Sequence, residues 1–168
     1  MQLFNKRISE YIKRIQHNQY VAKAQISGDS NHKKIHGTAK FYPSRNGTLA
    51  QVEVFGLPVN RENCSTNIFA LHIHQGASCS FKGDDPFGSV GAHYNPNECN
   101  HPAHAGDLPP LFADKSGYAY LLVFTDRFSP KEIIGKTIII HSQADDFKTQ
   151  PSGDSGNKIA CGEIRKES

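Results

Sequence analysis

The chain has 168 residues, 37% of them apolar and 21% charged, which suits one domain with a sizeable core. Its net charge is only +3, and the lysines and arginines are scattered rather than gathered into the basic stripe that nucleic-acid binding wants. No segment reaches the roughly 18 apolar residues that span a bilayer, and charges interrupt the first 19 residues too often for the apolar stretch of a leader peptide.

Phe4, Ile8, Tyr11, Ile12 and Ile15 recur at spacings of three and four, the pattern of an amphipathic helix. Residues 1–19 are therefore expected to form a helical extension, docked on the body or partly frayed. From Tyr20 onward the period changes to two and β-branched residues take over, so residues 20–168 read as one β domain. Strands are expected at 20–26, 34–42, 48–55, 68–74, 108–113, 118–125, 137–141 and 158–164. Asn46-Gly47 marks a hairpin between the second and third. Two long polar loops, 75–107 and 142–157, interrupt the series, and loops of that length in a compact domain usually carry function or are disordered. There is no internal repeat and no second domain.

Nine histidines are present, and six of them fall between residues 72 and 141. In His72-Ile73-His74, residues i and i+2 of a strand share a face, so two imidazoles can converge on one ion while Ile73 turns to the core. An H-x-H pair alone is a weak signal. His93, His101, His104 and Asp107 lie within 15 residues of one another, and three nitrogens with one oxygen suit tetrahedral zinc. Asn95-Pro96, Pro102 and Gly106 supply the looped backbone this spacing needs. His141 closes the apolar run 137–140. One zinc uses four of these seven groups. His72, His74 and His141 then make three of the four ligands of a copper site, which His93 completes if each of its ring nitrogens meets a different metal. Imidazole suits both metals.

His72-Ile73-His74, Gly91-Ala92-His93-Tyr94-Asn95-Pro96, His104-Ala105-Gly106-Asp107-Leu108 and the run 158–164, KIACGEI, resemble the successive signatures of the copper–zinc superoxide dismutase family, in the family's order and over nearly the whole β domain. The resemblance implies an all-β, eight-stranded Greek-key barrel or sandwich of immunoglobulin-like type, with two long functional loops and a short N-terminal helix. It implies an oxidoreductase, an antioxidant enzyme that disproportionates superoxide with copper and zinc as cofactors. Copper would be held by His72, His74, His93 and His141, and zinc by His93, His101, His104 and Asp107. The shared His93 is expected to exchange a proton during turnover. Cys79 and Cys161 would form a disulfide tying the first long loop to the last strand, with a spacing from His74 similar to the bacterial branch. Asp145 would link a copper histidine to a zinc histidine. At the catalytic position where the family usually has arginine stands Lys158, which keeps the charge but loses the planar fork, so lowered but retained activity is expected. Lys148 either adds to the field or is a solvated loop charge.

Several features depart from the family pattern. Only two residues separate His101 from His104, which puts a rearranged zinc site in view. Cys64 and Cys99 are extra: either a second disulfide stiffening residues 60–67 against the metal loop, or two free thiols. With no apolar leader stretch the chain is expected to be cytoplasmic or a processed secreted or periplasmic form, whereas four cysteines permit two disulfides and favour an oxidising compartment. A homodimer is neither indicated nor excluded. The alternative function is a non-catalytic copper- or zinc-binding relative of the same barrel, against which stands the presence of all four copper histidines. A zinc hydrolase would leave His72-Ile73-His74 without a role.

Overall fold

The computed structural model describes residues 2–167, and side chains from residue 9 onward; Met1, Ser168 and the Phe4 and Ile8 side chains lie outside the described residues. One helix, α1 (Gln2–Gln16), precedes nine strands: β1 (Ala22–Gly28), β2 (His36–Ser44), β3 (Gly47–Phe55), β4 (Ile68–His74), β5 (Asp107–Phe112), β6 (Ala119–Thr125), β7 (Thr137–His141), β8 (Lys158–Glu163) and β9 (Arg165–Lys166).

Period-two patterning decides which faces meet. Ala22, Ala24 and Ile26 of β1 are buried while Lys23, Gln25 and Ser27 between them are exposed. The same parity in β2 and β3 sends Ala39, Phe41, Ala50, Val52 and Val54 into one core, where they meet Leu71, Ile73, Ile138 and Ile140. The strands hydrogen-bond in the order β5-β4-β7-β8-β1-β2-β3-β6, all pairs antiparallel. The end strands β5 and β6 also approach one another, so the sheet curls into a nearly closed eight-strand barrel with β9 as a two-residue addition on β1.

The strand ends move by one or two residues from the expected ones. β1 and β2 slide two residues toward the C-terminus. The β2–β3 hairpin turns on Arg45-Asn46, because Ser44 pairs with Gly47. The last expected strand divides at Ile164, whose N–H donates to Lys136 O at 2.8 Å instead of continuing the ladder. The helix forms as expected: Tyr11 stacks on Phe124 and its hydroxyl lies 2.9 Å from Ser44 Oγ. Ile12, expected on the docked face, is exposed. Among the described residues, no helix is long and apolar enough to cross a membrane.

One region of the sheet is buried on both faces. β4 and β7 bury almost every residue, a pattern of strands covered on each side. Leu71, Ile73, Ile138 and Ile140 face the core. Their alternates, including His72, His74, Ile139 and His141, face outward and are covered by the two long loops. Phe87 and Val90 of the first loop pack on Ile139 and Cys161. The Cys79–Cys161 disulfide fastens that loop to β8 across 82 residues, a closure worth about 4.5 kcal/mol on chain-entropy grounds.

Candidate metal centre

The site grows from this doubly covered patch. β4 projects His72 and His74 from one face, and β7 brings His141 beside them. A register shift between Ile140 and His141 sets Lys158 opposite His141, a local re-aiming typical of bulges beside sites. Asp107 opens β5 directly opposite His72. The first loop returns over β4 to deliver His93: Tyr94 N–H donates to Ile73 O at 2.7 Å, and Ile73 N–H donates to Gly106 O at 2.8 Å. The approach requires glycine at 106, where a Cβ would stand 2.3 Å from Ile73 O.

Two groups of buried side chains result, His72, His74, His93 and His141 in one, His93, His101, His104 and Asp107 in the other. Within each, the potential ligand atoms lie within 4.8 Å of one another. His93 belongs to both. Its Nδ1 lies 2.8 Å from Asp107 Oδ1 and 3.4 Å from His104 Nδ1, while its Nε2 is buried with no hydrogen-bond partner. In the first group His74 Nε2 and His141 Nε2 are 3.4 Å apart, and the His72 and His93 ring centres are 4.0 Å apart. In the second, Asp107 Oδ2 stands 3.1 Å from His101 Nδ1 and 3.2 Å from His104 Nδ1. The short His101–His104 interval therefore still brings both rings to Asp107.

The outward ring nitrogens are anchored. His72 Nε2 and His101 Nε2 each donate to the buried Asp145 carboxylate at 2.8 Å. His74 Nδ1 donates to Gly91 O at 2.7 Å, and His141 Nδ1 lies 3.2 Å from Ser155 Oγ. Among the described residues, the inward nitrogens of His72 and His93 have no hydrogen-bond partner, and His101 Nδ1 has only the poorly aligned Asp107 carboxylate at 3.1 Å. An unmet buried polar atom costs about 1–3 kcal/mol, so inward nitrogens left in this way and aimed at two centres describe places for cations. Three nitrogens and a carboxylate fit zinc, and four imidazoles fit copper.

Burial favours the neutral, ligating form of His72, His74 and His141. Burial, aided by neighbouring imidazoles, pushes His72 far below the usual histidine range. It lowers His74 to about 3 and His141 to about 4, against the opposing pull of the Gly91 and Gly156 carbonyls. Burial works against ionisation of Asp107, but the hydrogen bond with His93 and the surrounding rings hold its carboxyl below the usual carboxylate range.

A cleft of about 1060 Å³ leads from solvent to this centre, lined by His74, His93, His104, His141, Asp85 and Lys158 among others. Lys148 is exposed and is not among the lining residues. Cys64 and Cys99 are both free and exposed, so no second disulfide forms. Cys64 sits in a turn with φ 65° inside a loop that closes on itself through Asn60 and Asn67. The Cys99 backbone N–H is held by Asn95 Oδ1, and its thiol points toward Asn97 O.

Some supporting residues have no local sequence signal. Arg127 Nη1 donates to the carbonyls of Pro102, His104 and Asp107 at 3.1, 3.2 and 3.3 Å, gripping the metal loop. Gln150 pairs reciprocally with the His101 backbone at 2.9 and 2.7 Å. Gly153, at φ 71°, lies so close that a Cβ there would fall 2.0 Å from Asp145 Oδ1 and 2.7 Å from His101 Nε2.

A β-barrel whose covered outer face carries two histidine groups with one ring in common defines a dinuclear metalloprotein. The family model for copper/zinc superoxide dismutase matches residues 35–164. A copper–zinc superoxide dismutase of Deinococcus radiodurans is 35% identical over 147 residues, covering 77% of this chain and 76% of that protein. Superoxide dismutase [Cu-Zn] 2 of Aquifex aeolicus is 32% identical, covering 79% of this chain and 80% of that protein. Among solved structures, a double mutant of a SOD-like protein from Bacillus subtilis aligns with a TM-score of 0.68 and 28% identity, over 85% of this chain and 96% of that one. The Cu/Zn superoxide dismutase from Brucella abortus shares the fold with a TM-score of 0.69. The chain belongs to the copper–zinc superoxide dismutase family; it is an oxidoreductase that acts on superoxide with copper and zinc as cofactors.

Proposed function

We propose that His72, His74, His93 and His141 hold the copper, that His93, His101, His104 and Asp107 hold the zinc, and that His93 serves both. The observation that carries this reading is the ring of His93. One of its nitrogens is already engaged by Asp107, while the other is buried and unmet on the side of His72, His74 and His141.

The copper supplies the one-electron exchange that superoxide disproportionation needs, while zinc supplies fixed positive charge without redox change. His93 Nε2 is the chain's atom placed to take up and return a proton at the reaction centre, while its Nδ1, which faces Asp107 and His104, would be held from the zinc side so that the ring keeps its orientation. Asp145 holds the outward N–H of both His72 and His101, fixing tautomer and ring angle in each group; such outer partners typically matter 10–100-fold in metal affinity. Lys158, on the wall of the cleft beside His141, is the cation that guides the anionic substrate.

His74→Ala tests the assignment. Metal analysis of the purified variant is expected to show copper lost and zinc kept, with dismutase activity falling at least about a hundredfold. Copper retention with full activity would overturn the reading.

A further inference from the structure

We propose that Asp85 is the fixed counter-ion of Lys158, so that the anion-guiding charge of the cleft is held partly cancelled and the Asp85–Lys158 pair sets how readily superoxide reaches the centre. This rests on the reading of Lys158 given above. Lys158 Nζ donates directly to Asp85 Oδ2. Among the described residues lining the cleft, Lys158 is the one lysine or arginine, whereas Asp29, Asp84 and Asp85 are all present. The side chains of the lining therefore carry more negative than positive formal charge before the two cations are counted, although the whole chain is at +3.

The pair is not a wandering surface contact. The other oxygen of Asp85 accepts from Phe87 N–H at 2.9 Å. The Asp85 backbone pairs with Lys82 across a tight bridge and accepts from Gly88 N–H at 3.1 Å. Phe87 and Val90 anchor this turn against Ile139 and Cys161, and the Cys79–Cys161 disulfide ties the same subloop to β8, the strand that carries Lys158. Burial opposes ionisation of Asp85, but the hydrogen bonds from Lys158 and from the Phe87 backbone hold its carboxyl below the usual range. Both partners are thus placed by rigid elements and face each other across the mouth. Asp29 is engaged otherwise, accepting from Asn31 N–H and His32 N–H and lying 2.8 Å from His32 Nδ1. Asp84 is exposed and adds only general charge. An approaching anion meets a dipole where it would otherwise meet a free ammonium. At low salt, where screening is weakest, the difference is largest.

The experiment uses the metal-loaded enzyme and its Asp85→Asn, Asp84→Asn and Lys158→Gln variants. It reads kcat/KM for superoxide against ionic strength, and the affinity for azide, a small anion followed through the visible spectrum of the copper. Asp85→Asn keeps an acceptor for Phe87 N–H and removes the charge. It is expected to raise low-salt kcat/KM and azide affinity about threefold and to make both fall with added salt. In the wild type, kcat/KM is expected to stay flat or rise as salt is added. Asp84→Asn is expected to change each by less than half as much. Equal gains in the two Asp variants would overturn the proposal, since general charge alone would explain them. No gain in Asp85→Asn while Lys158→Gln weakens azide binding would overturn it and leave the role of Lys158 standing. If Lys158→Gln changes neither quantity, the guiding role of Lys158 itself fails, and the proposal with it.

Discussion

Asp145 shows what one buried carboxylate does for the seven side chains of the two groups. Its two oxygens receive the outward nitrogens of His72 and His101, so the inward nitrogens of both rings are fixed by a side chain that touches neither centre. Asp145→Asn keeps the volume but loses charge and one acceptor oxygen. Zinc affinity, measured by chelator competition, is expected to fall about 10–100-fold. Gly153→Ala is expected to give the same direction of loss, because its Cβ would displace Asp145 Oδ1 and the His101 ring. The two groups were legible in part from residue type and spacing, since i, i+2 histidines share a strand face and three His with one Asp fall within 15 residues, but the H-x-H pair alone is a weak signal and the full ligand sets came from the resemblance of the ordered motifs. Asp145 was readable only through family likeness. Gly153, Gln150 and Asp85 were not readable, because their roles depend on where two loops cross, and nothing in a Gly- and Asp-rich loop sequence fixes that path.

The strands were legible because side-chain parity is strict: β4 and β7 keep their expected bounds, and each has a buried partner on both faces. The less certain ends belong to edges where hydrogen bonds rather than burial decide, as at Ile164, whose N–H leaves the ladder for Lys136 O. The connection between β6 and β7 carries more than its sequence announces. Arg127 leaves it to grip three carbonyls of the metal loop, partners 20 to 25 residues upstream that no local pattern could name. Arg127→Met retains much of the side-chain length and removes the donors. It is expected to speed zinc release about tenfold, measured with a colorimetric chelator, with the strands unchanged by circular dichroism. Equal release rates in variant and wild type would contradict this.

Across the whole molecule, burial of so many neutral imidazoles makes the metal-free protein sensitive to acid. His74 and His141 sit at about 3 and 4 when folded, against roughly 6.5 in an unfolded chain. Between those values the unfolded chain binds more protons, so stability is fully present above about pH 6.5 and is lost as pH falls toward 4. Thermal midpoints of metal-free protein are expected to be level from pH 7 to 8 and to drop steadily below 6.5, and a His74→Gln variant should show a shallower drop. Metal-loaded protein should resist acid further, since bound cations compete with protons for the same nitrogens. The carboxylate of Asp145 has a last consequence at this scale. It ties a ring of one centre to a ring of the other, and His93 belongs to both, so neither cation can settle without ordering ligands for its neighbour. Uptake of the two at the proposed centres is therefore expected to be coupled, and by reciprocity each changes the other's hold by the same factor, whichever arrives first.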